Sequence, residues 1–143
     1  MLSSLFALQS LSNERLHQTK RKSLGQAWGR SKTGLAIRRS VLVTALEQKQ
    51  MQAWFQPKVC LHTQRLVGVE VLARWCHPEK GMVAPTGFLV WTRTYRLDEA
   101  LLLYMLQEAL GFQAHWRKQG VVVPVSVNVP TYLLDDPYLA DKL

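Results

Sequence analysis

Apolar and polar residues alternate with period two in the run Val67-Gly68-Val69-Glu70-Val71-Leu72-Ala73-Arg74. That period belongs to a β-strand, in which Gly68, Glu70, Leu72 and Arg74 share one side and Val67, Val69, Val71 and Ala73 the other. The valine-rich side suits a covering layer of helices. The side with a carboxylate and a guanidinium needs partners or a ligand, because ionised groups are rarely buried unpaired. Four residue steps of about 3.3 Å separate Glu70 from Arg74 by roughly 13 Å, too far for a salt bridge and suited to two ends of one charged ligand. A solvated strand face is the plainer alternative.

The same reading assigns the other elements. Residues 2–22 can form a helix with a short apolar stripe of Leu2, Leu5, Phe6, Leu8 and Leu11, and residues 23–34 read as a glycine- and serine-rich linker. Residues 35–50 suit an amphipathic helix, with Val41, Leu42, Ala45, Leu46 and Lys49 near helical spacing. A first strand is expected at 52–59, a turn around His62-Thr63-Gln64, and a second strand at 66–74. So short a turn makes the two strands antiparallel. Pro57 lacks an N–H and places the first strand at an edge or an irregularity. Gly81 and Pro85 mark a loop, and a short helix is expected over 85–92. The stripe Leu97, Leu101, Met105, Ala109, Phe112 and Trp116 predicts a long helix over 97–118, with Asp98 and Glu99 at its positive end and Gly120 stopping it. Residues 121–129, rich in valine, predict a parallel strand, and 132–143 the start of another helix. Strand, helix, strand is the repeating unit of a parallel α/β barrel.

Composition narrows the class. The chain has 143 residues, 48% apolar and 20% charged, which is globular and has room for one modest domain. No apolar run reaches the roughly 18 residues that span a bilayer, so no membrane anchor is expected, and the N-terminus does not resemble a signal peptide. Two cysteines, Cys60 and Cys76, make a disulfide scaffold improbable and a reducing cytoplasm the natural setting. Charge is uneven: residues 1–40 hold eight basic residues against Glu14 alone, so this arm contributes +7 of the formal +8. Residues 1–40 therefore read as a basic arm or linker ahead of a nearly neutral domain at 41–143. A solvated linker is the first reading of that arm and a polyanion contact, with nucleic acid as the example, the second. Gly29-Arg30-Ser31-Lys32-Thr33-Gly34 superficially looks like a phosphate loop but lacks the required glycine and strand context.

The run FQPKVCLHTQRLVGVEVLARWCHPEKGMVAPTGF (residues 55–88) resembles the opening of an EAL domain, the bacterial cyclic-di-GMP phosphodiesterase family. The name-giving triplet is Glu70-Val71-Leu72, with valine for alanine, and Val125-Ser126-Val127-Asn128 resembles the family's VSVN strand. The resemblance covers residues from about 41 onward and only about the first half of that domain. It implies an α/β fold, a partial EAL-type TIM-like barrel with an antiparallel first strand, following the basic helical or linker arm.

The resemblance also implies roles. Glu70 and Asn128 fall at metal-ligand positions, for Mg²⁺ or Mn²⁺ in the intact family, and both offer hard oxygen donors. Arg74 falls where phosphate is contacted, which its fork geometry suits, and Gln56 and Leu72 line the nucleotide pocket. Without the resemblance, Asn128 reads equally well as a strand-end residue capping a turn. The family's second glutamate, paired aspartates, catalytic lysine and final glutamate have no counterpart before residue 143. Cys60 stands where aspartate is usual, and Pro130 where serine is usual. Hydrolysis by this chain alone is therefore not expected, with no catalytic residue assigned and no metal retained. The expected roles are weak cyclic-di-GMP binding or a protein contact, including self-association through an open parallel sheet edge after Val129. The alternative is a phosphodiesterase fragment that needs its remaining half. A zinc site from Cys60, His62, Cys76 and His77 is a minor rival, since the spacings match no standard knuckle.

Overall fold

The computed structural model describes residues 37–143. The helix expected at 2–22, the linker at 23–34, the phosphate-loop lookalike and nearly all of the basic arm lie outside the described residues. Helix α1 spans Arg39–Glu47 and buries Leu42 and Ala45. It is shorter than the stripe predicts. Arg38 is extended, and Lys49 takes a left-handed backbone (φ 54°) just past the helix end.

Strands β1 (Met51–Val59) and β2 (Leu66–His77) pair antiparallel, with Phe55 opposite Val71 and Gln56 opposite Glu70. A register shift falls between Lys58 and Val59, where Gly68 and Leu66 are the successive partners and Val67 has none. Such a bulge turns the extra residue out of the ladder, and Val67 is 52% exposed. The valine-lined face therefore begins at Val69, one alternation later than expected. Pro57 lies on the edge strand β1 directly beside this irregularity.

Strand β2 is the centre of the sheet and runs to His77, three residues beyond its expected end. Its second edge is shared by two short strands. Strand β3 (Gly81–Val83) pairs antiparallel with Trp75–His77, and β4 (Val125–Val127) pairs parallel with Val69–Val71. The segment read as a loop thus contributes a strand, entered through Gly81 at φ 70°. Strand β4 is much shorter than the valine run suggests. Pro124 and Pro130 bracket it without N–H donors, and Val122 is 77% exposed. A carbonyl remains useful at Pro124, where it accepts the Val69 N–H at 2.9 Å. Gly68 allows that approach, since a Cβ there would sit 3.2 Å from the same carbonyl oxygen.

A 3-10 turn at Pro85–Gly87 leads into helix α2 (Leu89–Thr94), so the expected short helix forms slightly late and in two pieces. Helix α3 (Asp98–Lys118) matches its expected span to within a residue, and Gly120 adopts φ 78° just beyond it. Leu101, Met105 and Ala109 pack with Leu42, Ala45, Met51, Ala53, Val71, Trp75 and Phe88 in one core. Phe55 meets Phe112 and Trp116 edge-on, with centroids 5.1 and 4.7 Å away, geometry that aromatic quadrupoles favour. Tyr104 on α3 donates to the Met51 carbonyl at 3.0 Å and ties the helix to β1. After β4, a 3-10 turn (Thr131–Asp135) and the short helix α4 (Leu139–Lys142) replace the single helix expected there. None of the described helices is long and apolar enough to cross a membrane.

Candidate functional site

The register puts Gln52, Trp54, Gln56 and Lys58 of β1 beside Arg74, Leu72, Glu70 and Gly68 of β2, all on the face opposite the core. On the other flank of β2, Ser126 lies beside Glu70, and Asn128 follows directly after the end of β4. This face collects every residue expected to act at the site: Gln56, Glu70, Leu72, Arg74 and Asn128. Alternation achieves this for the residues of β1 and β2, whose other face is committed to the core, and the parallel pairing of β4 with β2 brings Asn128 to Glu70.

Glu70 is the hub. Its Oε1 accepts a hydrogen bond from Asn128 Nδ2 at 2.7 Å, and its Oε2 lies 3.9 Å from Lys58 Nζ. Lys58 also donates to Ser126 Oγ at 2.6 Å, and Ser126 donates to the Val69 carbonyl at 3.2 Å. The partner that the carboxylate requires is thus Lys58 together with Asn128, not Arg74. Sequence reasoning passed over Lys58, although it lies in the Gln56-Pro57-Lys58 run. It shares a face with Gln56 by period two, and Gln56 is the cross-strand partner of Glu70; that placement is the signal that points to it.

Arg74 stands apart from this cluster. Its Nη1 donates to the Ala73 carbonyl at 3.1 Å, and its Cζ lies 5.8 Å from the centroid of the Trp54 ring. Leu72, between Glu70 and Arg74, lines a cavity of about 280 Å³ with Asn128, Val129, Pro130, Leu89 and Met105. The cavity opens where β4 has ended and β3 has not begun, leaving residues 72–74 of β2 unpaired on that side. Asp98, at the start of α3, also lines the cavity. It accepts a hydrogen bond from the Tyr132 hydroxyl, which burial and the Asp98 contact hold protonated up to about 12.

The donor set fits a hard cation in part. Glu70 and Asn128 bring two oxygen-bearing side chains together, and an amide turned to present its oxygen in place of Nδ2 would make both donors hard. Octahedral Mg²⁺ takes six oxygen ligands, so these two leave most positions to water or phosphate. Among the described residues, no group of three or more His, Cys, Asp or Glu converges on one point. The zinc alternative is overturned on the same ground. Cys60 follows β1 at the hairpin turn, whereas Cys76 sits near the other end of β2, opposite Met82.

With this geometry in place, likeness to known proteins is informative. The family model described as EAL domain matches residues 39–143. The cyclic di-GMP phosphodiesterase RocR of Pseudomonas aeruginosa is 32% identical over 102 residues, covering 71% of this chain and 26% of RocR. The cyclic di-GMP phosphodiesterase PdeL of Escherichia coli is 44% identical over 45 residues, 32% of this chain and 12% of PdeL. Among solved structures, the PaMucR phosphodiesterase in complex with c-di-GMP superposes with a TM-score of 0.67 at 30% identity, covering 72% of this chain and 42% of that one. The FimX EAL domain of Pseudomonas aeruginosa, at 24% identity and a TM-score of 0.61 over 71% of this chain and 40% of that one, shares the fold. The chain thus spans about a quarter of RocR and less than half of the MucR structure. From Arg39 to Leu143 the chain belongs to the EAL domain family, of which it represents a part.

Proposed function

We propose that residues 39–143 form one wall of a cyclic-di-GMP site, and that the 143-residue chain binds the dinucleotide weakly without hydrolysing it. Glu70 and Asn128 hold the cation end, Arg74 takes a phosphate, and Gln56 and Leu72 line the path between them. The observation that carries this reading is the 2.7 Å contact between Glu70 and Asn128 on the face that also bears Arg74. Metal-assisted phosphodiester hydrolysis needs cations held firmly enough to activate water and clamp the leaving oxygen. When bound, Mg²⁺ or Mn²⁺ would supply that chemistry. Two donors, one of them a neutral amide and the other already paired with Lys58, do not hold it alone.

Affinity follows the same logic. A charge-assisted contact contributes about 1.5–3 kcal/mol, against the roughly 8 kcal/mol of micromolar binding. Calorimetric titration of cyclic-di-GMP in Mg²⁺ is expected to give a Kd weaker than micromolar that weakens further in Arg74→Ala. Incubation with Mg²⁺ or Mn²⁺ is expected to yield no linear dinucleotide above a Glu70→Ala control. Submicromolar binding, affinity indifferent to Arg74→Ala, or turnover above that control each overturns the reading.

A second reading is favoured by the 42% coverage of the MucR structure. Here these residues supply the first part of a phosphodiesterase barrel and act when the complementary part is present. Turnover that appears on adding a separately expressed second half of an EAL barrel, and disappears with Glu70→Ala, would select it.

A further inference from the structure

We infer that Trp54 is a base-stacking platform in this site, an assignment that rests on the dinucleotide-binding reading and extends it to a residue outside the expected set. The register alone places it there. Trp54 is the cross-strand partner of Leu72, with the Gln56–Glu70 pair on one side of it and the Gln52–Arg74 pair on the other. Glu70 and Arg74 are about 13 Å apart along β2, so a ligand that reaches both crosses the Trp54–Leu72 pair midway. Trp54 is the one aromatic side chain among these face positions, and it is 41% exposed, whereas Trp75 and Trp116 are buried in the core.

Arg74 completes the argument. Its guanidinium lies over the indole at 5.8 Å, and among the described residues it makes one side-chain hydrogen bond, to the Ala73 carbonyl. A phosphodiester held by the free edge of that guanidinium brings its attached base to the same indole. Purines stack on indole faces whatever their hydrogen-bonding edge, so Trp54 contributes affinity and Arg74 the phosphate preference. Trp54 lies outside the core cluster, so its truncation leaves the fold in place.

The test titrates cyclic-di-GMP in Mg²⁺ against the full chain, Trp54→Ala and Trp54→Phe, by calorimetry and by tryptophan fluorescence. Stacking predicts ligand-induced quenching in the wild type, and its loss in Trp54→Phe even though that variant still binds. It also predicts that Trp54→Ala weakens binding about fivefold to a hundredfold. Wild-type binding with unchanged affinity in Trp54→Ala, or quenching that survives in Trp54→Phe, overturns the stacking role and leaves the site reading standing. Absence of wild-type binding at millimolar dinucleotide overturns the site reading and the platform with it.

Discussion

The two faces of the β1–β2 hairpin are built from the same two strands and differ in almost everything else. On one, Met51, Ala53, Val71 and Trp75 are buried under α1, α3 and Phe88. On the other, Lys58, Glu70 and Arg74 hold hydrogen bonds and an ion pair at the edge of solvent, and Gln56 is exposed beside them. Because side chains alternate, a step of one residue passes from a position that keeps the chain folded to one that can touch a ligand. Adjacent substitutions should therefore fail in different assays.

The largest expected effect is on the covered face. Leu101 is 6% exposed in the centre of the core, so Leu101→Ala should destabilise by about 2–5 kcal/mol in urea unfolding. A loss below about 1 kcal/mol would mean that the helix layer is not what holds the sheet.

A neighbouring pair sharpens the contrast. Val71 is 3% exposed in the core cluster, whereas Leu72 is half-buried on the opposite face of β2, although both border the cavity. Val71→Ala should lower stability by about 2 kcal/mol with little change in dinucleotide affinity. Leu72→Ala should do the reverse, costing less stability and more binding. Equal losses of stability would show that Leu72 belongs to the core.

This division was largely legible in the chain. Period two over residues 67–74 assigned the faces, and the stripe from Leu97 to Trp116 gave α3 almost to the residue. What escaped depends on contacts distant in sequence. Val67 looked like one more core valine until the bulge at Lys58–Val59 displaced it. Strand β3 has three residues, too few for a period to show. The valines at 121–123 promised a strand that Pro124 shortens. The bond from Lys58 to Ser126, 68 positions away, is a juxtaposition that the parallel β2–β4 register creates, whereas its approach to Glu70 follows from the β1–β2 hairpin. The Glu70–Asn128 pair was assigned by family resemblance, and the fold supplies the contact that composition and spacing could not.

A smaller effect should appear at high pH on the covered face. Burial, then the nearby Glu108 charge, raises the Tyr104 phenol to about 12 from its ordinary value near 10. The folded form thus keeps its proton after the unfolded chain has lost it. Its stabilising contribution is fully present below pH 10 and is lost as pH rises from 10 towards 12. Tyr132 titrates with the same sign. Unfolding followed between pH 9 and 12 should show a falling stability that is shallower in Tyr104→Phe. At neutral pH that variant should cost about 0.5–1.5 kcal/mol for the lost bond to the Met51 carbonyl. An alkaline slope identical in the variant would place the titration elsewhere.

The smallest expected effect lies on the open face, where the ion pair between Lys58 and Glu70 tests whether charge there stabilises the fold. The two side chains are 48% and 31% exposed and 3.9 Å apart. At such exposure, water screens the attraction and the lysine loses rotamer freedom on pairing, so the coupling should be about 0.2–1 kcal/mol. A double-mutant cycle of Lys58→Met and Glu70→Gln in urea measures it directly. Raising the salt from 0.05 to 1 M shortens the screening length to about 3 Å and should reduce it further. A coupling above about 2 kcal/mol, insensitive to salt, would mean that the pair is desolvated and the polar face is a second core. A small, salt-sensitive coupling leaves Glu70 free to exchange its lysine for a cation at little cost to the fold, as a ligand-binding face requires.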